Sequence, residues 1–138
     1  MEGKPARRTV SSFEDLEVYQ KLLALHLEVS ALTLRFPRYE QFELASQLRR
    51  SSNAIPAYIA EGWNNKHLSI YLEAINRAFG ELQETRHHLT VAARKGHLSP
   101  QEGRSLAARY FECASMLRGL ERSLKRLYES RKRTRKPA

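Results

Sequence analysis

Apolar residues recur every three or four positions along four stretches of the chain, the spacing of one face of an α-helix. The pattern predicts helices near residues 12–35, 39–61, 68–95 and 99–130, and no strand-like alternation competes with it. Four long helices with short connections predict an all-α domain, an antiparallel four-helix bundle of up-down-up-down topology. Burial of the apolar stripes against one another should supply most of its stability.

The predicted core consists of the apolar positions on these faces. In chain order they are Leu16, Tyr19, Leu23, His26, Val29, Leu32, Phe42, Ala45, Leu48, Ile55, Ile59, Leu68, Tyr71, Leu72, Ile75, Phe79, Leu82, Leu89, Leu106, Tyr110, Cys113, Leu117, Leu120, Leu124 and Leu127. We expect His26 to be a hydrogen-bonded core histidine. We expect Cys113 to be a small core residue, because a single cysteine cannot form an internal disulfide.

Residues that start and stop helices support these boundaries. Ser99 followed by Pro100 and Glu102 predicts an N-cap, a proline in the first turn and a capping box. Gly62 and Gly96 are predicted C-caps, since glycine tolerates the left-handed conformation there. Pro56 lies inside the second helix, where a proline costs about 3 kcal/mol or more. Packing around it must offset that loss.

The positive charge of the chain is concentrated at its two ends. The formal net charge is +9, yet residues 11–117 contain 12 basic and 12 acidic residues and are neutral. Residues 1–10 contribute +2, and residues 118–138 contribute +7 from nine basic residues and two glutamates. We therefore divide the chain into a basic arm (1–11), the bundle (12–130) and a basic tail (131–138) that we expect to be frayed or disordered.

The fourth helix presents leucines on one face and cations roughly opposite. This charge is either a solvated face or a surface that binds the phosphates of a nucleic acid by releasing their counterions. We expect contacts to backbone rather than bases, because no base-reading motif occurs. The Arg49–Arg50 pair is a weaker candidate, since Arg49 has Glu43 within reach. The candidate residues are Arg118, Arg122, Lys125, Arg126, Arg131, Lys132, Arg133, Arg135, Lys136, Arg49 and Arg50.

No motif for catalysis, metal binding or a cofactor is evident. Glu84 and His87 form one Glu-x-x-His string, whereas di-iron bundles use two with further carboxylates, so we expect surface residues and no metal. The chain lacks a nucleophile motif, a phosphate loop and a Cys-x-x-Cys pair, which predicts a protein that is not an enzyme. It also lacks a membrane-spanning run and a secretory signal, which favours the cytoplasm.

Two segments resemble a known family. FEDLEVYQKLLAL and FPRYEQFELASQLRRSSNAIPAYIAEG are similar to small bacterial four-helix-bundle proteins encoded in intervening sequences of 23S rRNA genes. The same superfamily includes the accessory variability determinant (Avd) proteins of diversity-generating retroelements. The resemblance covers about residues 12–128. The chain departs from the family at Ser51 and Ser52, where alanine is usual, and at Tyr58, where asparagine is usual.

The resemblance implies a homopentamer in which five bundles form a barrel with a central opening. For the retroelement branch it also implies a partner reverse transcriptase and its template RNA, with no enzymatic activity of its own. The basic terminal segment favours this accessory role, with RNA or DNA bound by basic surfaces. The alternative is an rRNA-insert-encoded bundle of structural or unknown role.

Overall fold

The computed structural model describes residues 9–135, which form four α-helices and two short 3-10 helices. The α-helices are α1 (Glu17–Thr33), α2 (Leu44–Gly62), α3 (Leu68–Arg94) and α4 (Pro100–Arg135), and the 3-10 helices are Phe13–Asp15 and Arg38–Glu40. Each α-helix packs against the next, and α4 also packs against α1, so the four enclose one hydrophobic core. The all-α four-helix prediction is confirmed.

The buried face of α1 is rotated from the predicted one. Val18, Leu22 and Leu25 are buried, whereas Leu23 and His26 are only half-buried. Leucines occupy both candidate faces of this helix, so the apolar pattern alone does not select between them. The contacts of α1 with α2 and α4 determine which of the two faces is buried.

The connection between α1 and α2 also differs from the prediction. α2 begins at Leu44 rather than Tyr39, and the backbone of Glu43, with φ −119° and ψ −101°, lies outside the helical region. Phe42 therefore precedes the helix and does not share its buried face. Its assignment to the core is wrong, because the residue is 91% exposed.

The predicted end of α3 and the predicted start of α4 are confirmed. The N–H of Glu102 donates to Ser99 Oγ (3.0 Å), and the Ser99 N–H donates to the Glu102 carboxylate (2.9 Å), which is the capping box. Pro100 is the first residue of α4. Gly96 has a φ of +79°, the left-handed conformation that ends α3.

Gly62 is required for packing rather than for a left-handed turn. It is the last residue of α2 and is buried. A Cβ placed on it would lie 2.2 Å from the Cβ of Ala74, so α2 and α3 approach too closely for any side chain there. Pro56 is likewise buried within α2, between Ile55 and Ile59, which are fully buried.

α4 continues past the point where its apolar pattern fades. The helix extends to Arg135, so residues 131–135 are helical, whereas we expected the tail to fray from residue 131. Arginine and lysine are good helix formers and favour the negative end of the helix dipole. Residues 1–8 and 136–138, including Lys136, lie outside the described residues. No helix within residues 9–135 has the length and apolar character needed to cross a lipid bilayer.

Glu40 connects the two loops at one end of the bundle. Its side chain is buried, and its carboxylate interacts with Lys95 Nζ (3.1 Å) and His97 Nε2 (2.8 Å), which follow α3. Burial alone would raise the pKa of Glu40, but the hydrogen bonds from Lys95 and His97 outweigh it and lower that pKa. The charged carboxylate therefore stabilises the fold.

Replacing Gly62 with alanine should destabilise the protein by roughly 1–3 kcal/mol, because the new methyl group overlaps Ala74. Gly80→Ala in α3 is the matched control, since nothing lies within 4 Å of its Cβ position. That control should gain about 0.5–1 kcal/mol from better helix propensity. Urea unfolding monitored by circular dichroism measures both, and equal effects of the two substitutions would contradict the close approach of α2 and α3.

Glu40→Gln should lower the free energy of unfolding at pH 7 by about 2 kcal/mol, since it removes a charged hydrogen-bond acceptor from a buried position. Because the folded pKa of Glu40 is lowered, its contribution is fully present above its ordinary value of 4.5. That contribution is lost as the pH falls through the folded pKa. The stability gap between native protein and variant should thus shrink in acid, whereas exposed Glu61→Gln should show no such gap.

Candidate nucleic-acid interface

The C-terminal half of α4 presents a continuous group of exposed cations. Because Leu117 and Leu124 are buried, the charged positions between and beyond them turn outward. After Leu124, no residue of α4 up to Arg135 is buried, and Tyr128 is half-buried. We call this group the α4 basic face, and its members, all exposed, are Arg118, Arg122, Lys125, Arg126, Arg131, Lys132, Arg133 and Arg135.

Of the two glutamates in this segment, only one forms ion pairs with the face. Glu121 pairs with Arg118 (3.2 Å) and Lys125 (3.7 Å). Arg118 also stacks over the ring of Phe79 on α3, 3.6 Å from the ring centre. Glu129 forms no ion pair with any residue between 9 and 135. The α4 basic face therefore keeps most of its charge available to a ligand.

Six members of the face have no acidic partner within residues 9–135. The Arg126 guanidinium has only a 3.5 Å contact to the Ser123 hydroxyl. The Lys132 ammonium lies 4.9 Å from the ring centre of Tyr128. The six residues are Arg122, Arg126, Arg131, Lys132, Arg133 and Arg135. Arginine is well suited to an anionic ligand, because its planar fork can donate two hydrogen bonds to one phosphate.

The structure places Arg49 and Arg50 away from this face, since α2 and α4 are not in contact within the described chain. Arg49 is half-buried and donates to Thr33 Oγ1 (3.0 Å) and to the backbone oxygen of Gln41 (2.8 Å), instead of pairing with Glu43. It holds the α1–α2 connection in place. The Arg49 side chain therefore has a structural role in this fold.

Arg50 is also committed to contacts within the bundle. It forms ion pairs with Glu84 and with Glu81 (3.4 Å), which joins α2 to α3. Glu84, the acid of the Glu-x-x-His string, is thus partnered by an arginine. Within residues 9–135, no group of three or more His, Cys, Asp or Glu side chains is arranged to hold a metal ion.

The hydrogen bond expected for His26 is present although the residue is only half-buried, and the expectation that Cys113 is a core residue is confirmed. His26 Nδ1 lies 2.8 Å from Ser52 Oγ, and partial burial lowers the pKa of the imidazole. Cys113 is buried in the core, and burial raises the pKa of its thiol to about 11, so the thiol stays protonated at neutral pH.

Sequence reasoning missed a second group of cations beside α4. A groove of about 270 Å³ between α3 and α4 has Ala93, Gly103 and Ala107 in its lining and is bordered by Arg86 and Arg94. The residue pattern of a single helix could not predict this group of cations, because the groove forms only when α3 and α4 pack. One sequence signal was available: Arg104, Phe111, Arg118, Lys125 and Lys132 recur at intervals of seven residues.

The fold and the exposed cations define a small helical-bundle protein with one strongly basic end. Residues 14–119 match the 23S rRNA-intervening sequence protein family, and the chain belongs to that family. A solved structure supports the fold: a Bacteroides thetaiotaomicron protein of unknown function from the S23 ribosomal protein family. It is 21% identical, with a TM-score of 0.70 over 75% of this chain and 97% of that one. No curated protein matches the sequence.

Proposed function

We propose that this chain is a non-enzymatic nucleic-acid-binding protein that holds RNA or DNA phosphates against the α4 basic face. The observation that supports this most is the exposure of eight cations in residues 118–135, a segment with only two acidic residues. Such a surface gains affinity by releasing counterions from the phosphate backbone. It offers positioning contacts and no base-edge readout, so sequence preference is weak.

The narrower proposal is an accessory role for a retroelement reverse transcriptase, in which the bundle holds template RNA or cDNA. Its support is the resemblance to Avd proteins together with the basic terminal segment. The second candidate is a protein encoded by an rRNA insert, with a structural or unknown role, which membership of the 23S rRNA-intervening sequence protein family favours. A reverse-transcriptase gene next to this one would support the first candidate, and a location inside an rRNA gene the second.

We further propose an up-down-up-down bundle that assembles into a pentameric barrel. The topology is supported by ion pairs whose residue numbers rise along α1 as they fall along α4, Lys21–Glu112 and then Glu28–Arg109. Assembly is supported by an apolar stripe on the outer side of α1. Its exposed members are Ala24, Leu27, Ala31 and Leu34.

The first prediction concerns the α4 basic face. Arg122→Gln with Arg126→Gln should weaken binding to duplex DNA and to single-stranded RNA, because two phosphate contacts are lost. The slope of log affinity against log salt should fall by about 0.9 per cation removed on duplex DNA and by about 0.7 on a single strand. Fluorescence anisotropy over a salt series measures this.

A matched double variant, Arg38→Gln with Lys66→Gln, is the control. Both residues are exposed, have no ion pair within residues 9–135 and lie outside α4. This variant loses the same formal charge and should bind with nearly the native slope. Equal slopes for the two double variants would remove the α4 basic face from the mechanism and leave only net charge.

The second prediction concerns assembly. Leu27→Glu with Leu34→Glu should convert the oligomer to monomers that keep native helix content, since the two side chains are 61% and 73% exposed in the isolated chain. Analytical ultracentrifugation gives the mass of the assembly. Phe42→Glu is the control, because Phe42 is more exposed and lies off this stripe. A native protein that sediments as a monomer would contradict the pentamer.

A further inference from the structure

We propose that the groove between α3 and α4 binds a single-stranded segment of nucleic acid and that Phe111 stacks against one of its bases. This inference rests on the proposed function, because the groove lies on the same helix as the α4 basic face, about three turns before Arg118. It adds a ligand class, single strand rather than duplex, and a residue type that a purely electrostatic surface does not need.

The first support is the distribution of ion pairs over the bundle. Lys21–Glu112 and Glu28–Arg109 join α1 to α4, and Arg50–Glu84 joins α2 to α3. No ion pair joins α3 to α4 within residues 9–135. Arg118 of α4 stacks on Phe79 of α3, but within this part of the chain the other cations on the α3–α4 side form no contact of this kind between the two helices.

Those cations are Arg86, Arg94 and Arg104. Arg86 has Gln83 as its hydrogen-bond partner, and none of the three forms an ion pair with a residue between 9 and 135. Arg86 and Arg94 border the groove, and Arg104 follows Gly103 of its lining. The two uncompensated guanidinium groups that border the groove, Arg86 and Arg94, complement an anionic ligand.

The floor of the groove suits a flat, apolar group. Its lining combines Leu89 and Thr90 with the small residues Ala93, Gly103 and Ala107. A Cβ on Gly103 would lie 3.6 Å from the Cβ of Ala93, so the two helices approach closely. The groove of about 270 Å³ remains above them. An apolar floor with arginine edges matches a nucleotide, whose base is apolar on its faces and whose phosphate is charged.

Phe111 lies one helical turn beyond Ala107 of the groove and is 63% exposed. It belongs to the seven-residue series Arg104, Phe111, Arg118, Lys125 and Lys132, whose members lie on one side of α4 at spacings of about 10 Å. An exposed aromatic ring between cations is the arrangement by which proteins hold single strands, since every base has a face that can stack. Bases inside a duplex are already stacked and cannot reach the ring.

Two variants test the groove without changing charge. Phe111→Ala removes the stacking surface, and Ala107→Leu fills the groove with a good helix former at an exposed position. Each should weaken binding of a labelled single-stranded RNA of about 12 nucleotides by about tenfold, the loss expected for one stacked base, and leave duplex DNA binding unchanged. Phe111→Trp should restore single-strand affinity.

Phe42→Ala is the matched control, because Phe42 is an exposed phenylalanine that does not line the groove. It should bind both probes like the native protein. A second test concerns the charge of the groove. The double variant Arg86→Gln with Arg94→Gln should lower the slope of log affinity against log salt for the single strand and leave the slope for duplex DNA unchanged. The control variant Arg38→Gln with Lys66→Gln should leave both slopes nearly unchanged.

The outcomes separate this inference from the proposed function. If Arg122→Gln with Arg126→Gln leaves both probes unaffected, the proposed function fails. If that pair weakens binding while Phe111→Ala and Ala107→Leu affect both probes equally or neither, only the groove inference is overturned. Sedimentation of each variant gives a third outcome: dissociation of the oligomer by Phe111→Ala would identify this face as a subunit contact and also overturn the inference.

Discussion

The packing of Leu117 and Leu124 into the core fixes the rotation of α4, and with it the direction of most of the protein's surplus charge. The two residues are seven positions apart and both are buried. Arg118, Arg122 and Arg126 then necessarily turn away from the core, as the helical repeat requires. The apolar half of α4 thus determines the placement of its basic half, and the exposed face is a consequence of core packing.

The remaining cations fall into two groups: those that pair with carboxylates of another helix and those that have no acidic partner within the described residues. Lys21, Arg50 and Arg109 are paired with carboxylates across helix boundaries. Exposed pairs of this kind contribute only about 0–1 kcal/mol each, so they do little for stability. Their main effect is on the electrostatic surface, because they cancel positive charge on the α1–α4 and α2–α3 sides. Within the described residues, cations without an ion pair are left beside the α3–α4 groove, at Arg86 and Arg94, and along the end of α4.

Local chemistry explains which features could be predicted from sequence. The Ser99–Glu102 capping box and the turn at Gly96 depend on neighbouring residues, and both formed as expected. The buried face of α1, the exposure of Phe42 and the partners of Arg49 depend on how α1 meets α2, which no single-helix pattern contains.

The candidate interface likewise has one part that could be predicted from the sequence and one part that could not. The α4 basic face is periodic along one helix and was predicted, although the helix extends further than its apolar pattern indicated. The groove requires Arg86 and Arg94 of α3 to meet Gly103 and Ala107 of α4, residues that the chain brings together only after folding. Gly62 shows the same limit: its proximity to Ala74, and not its neighbours in sequence, explains why it is glycine.

The α4 basic face and the α3–α4 groove, the two proposed contact surfaces, should respond differently to salt. This difference determines which form of nucleic acid stays bound as the salt concentration rises. Attraction between exposed charges fades beyond about 8 Å at physiological ionic strength, and counterion release weakens as salt rises. Stacking of a base on Phe111 is short-ranged and depends little on salt. Rising salt should therefore release a duplex, which touches only the α4 basic face, before it releases a single strand that also occupies the groove. The two proposed surfaces together would thus select unpaired nucleic acid by the form of the strand, without reading its sequence.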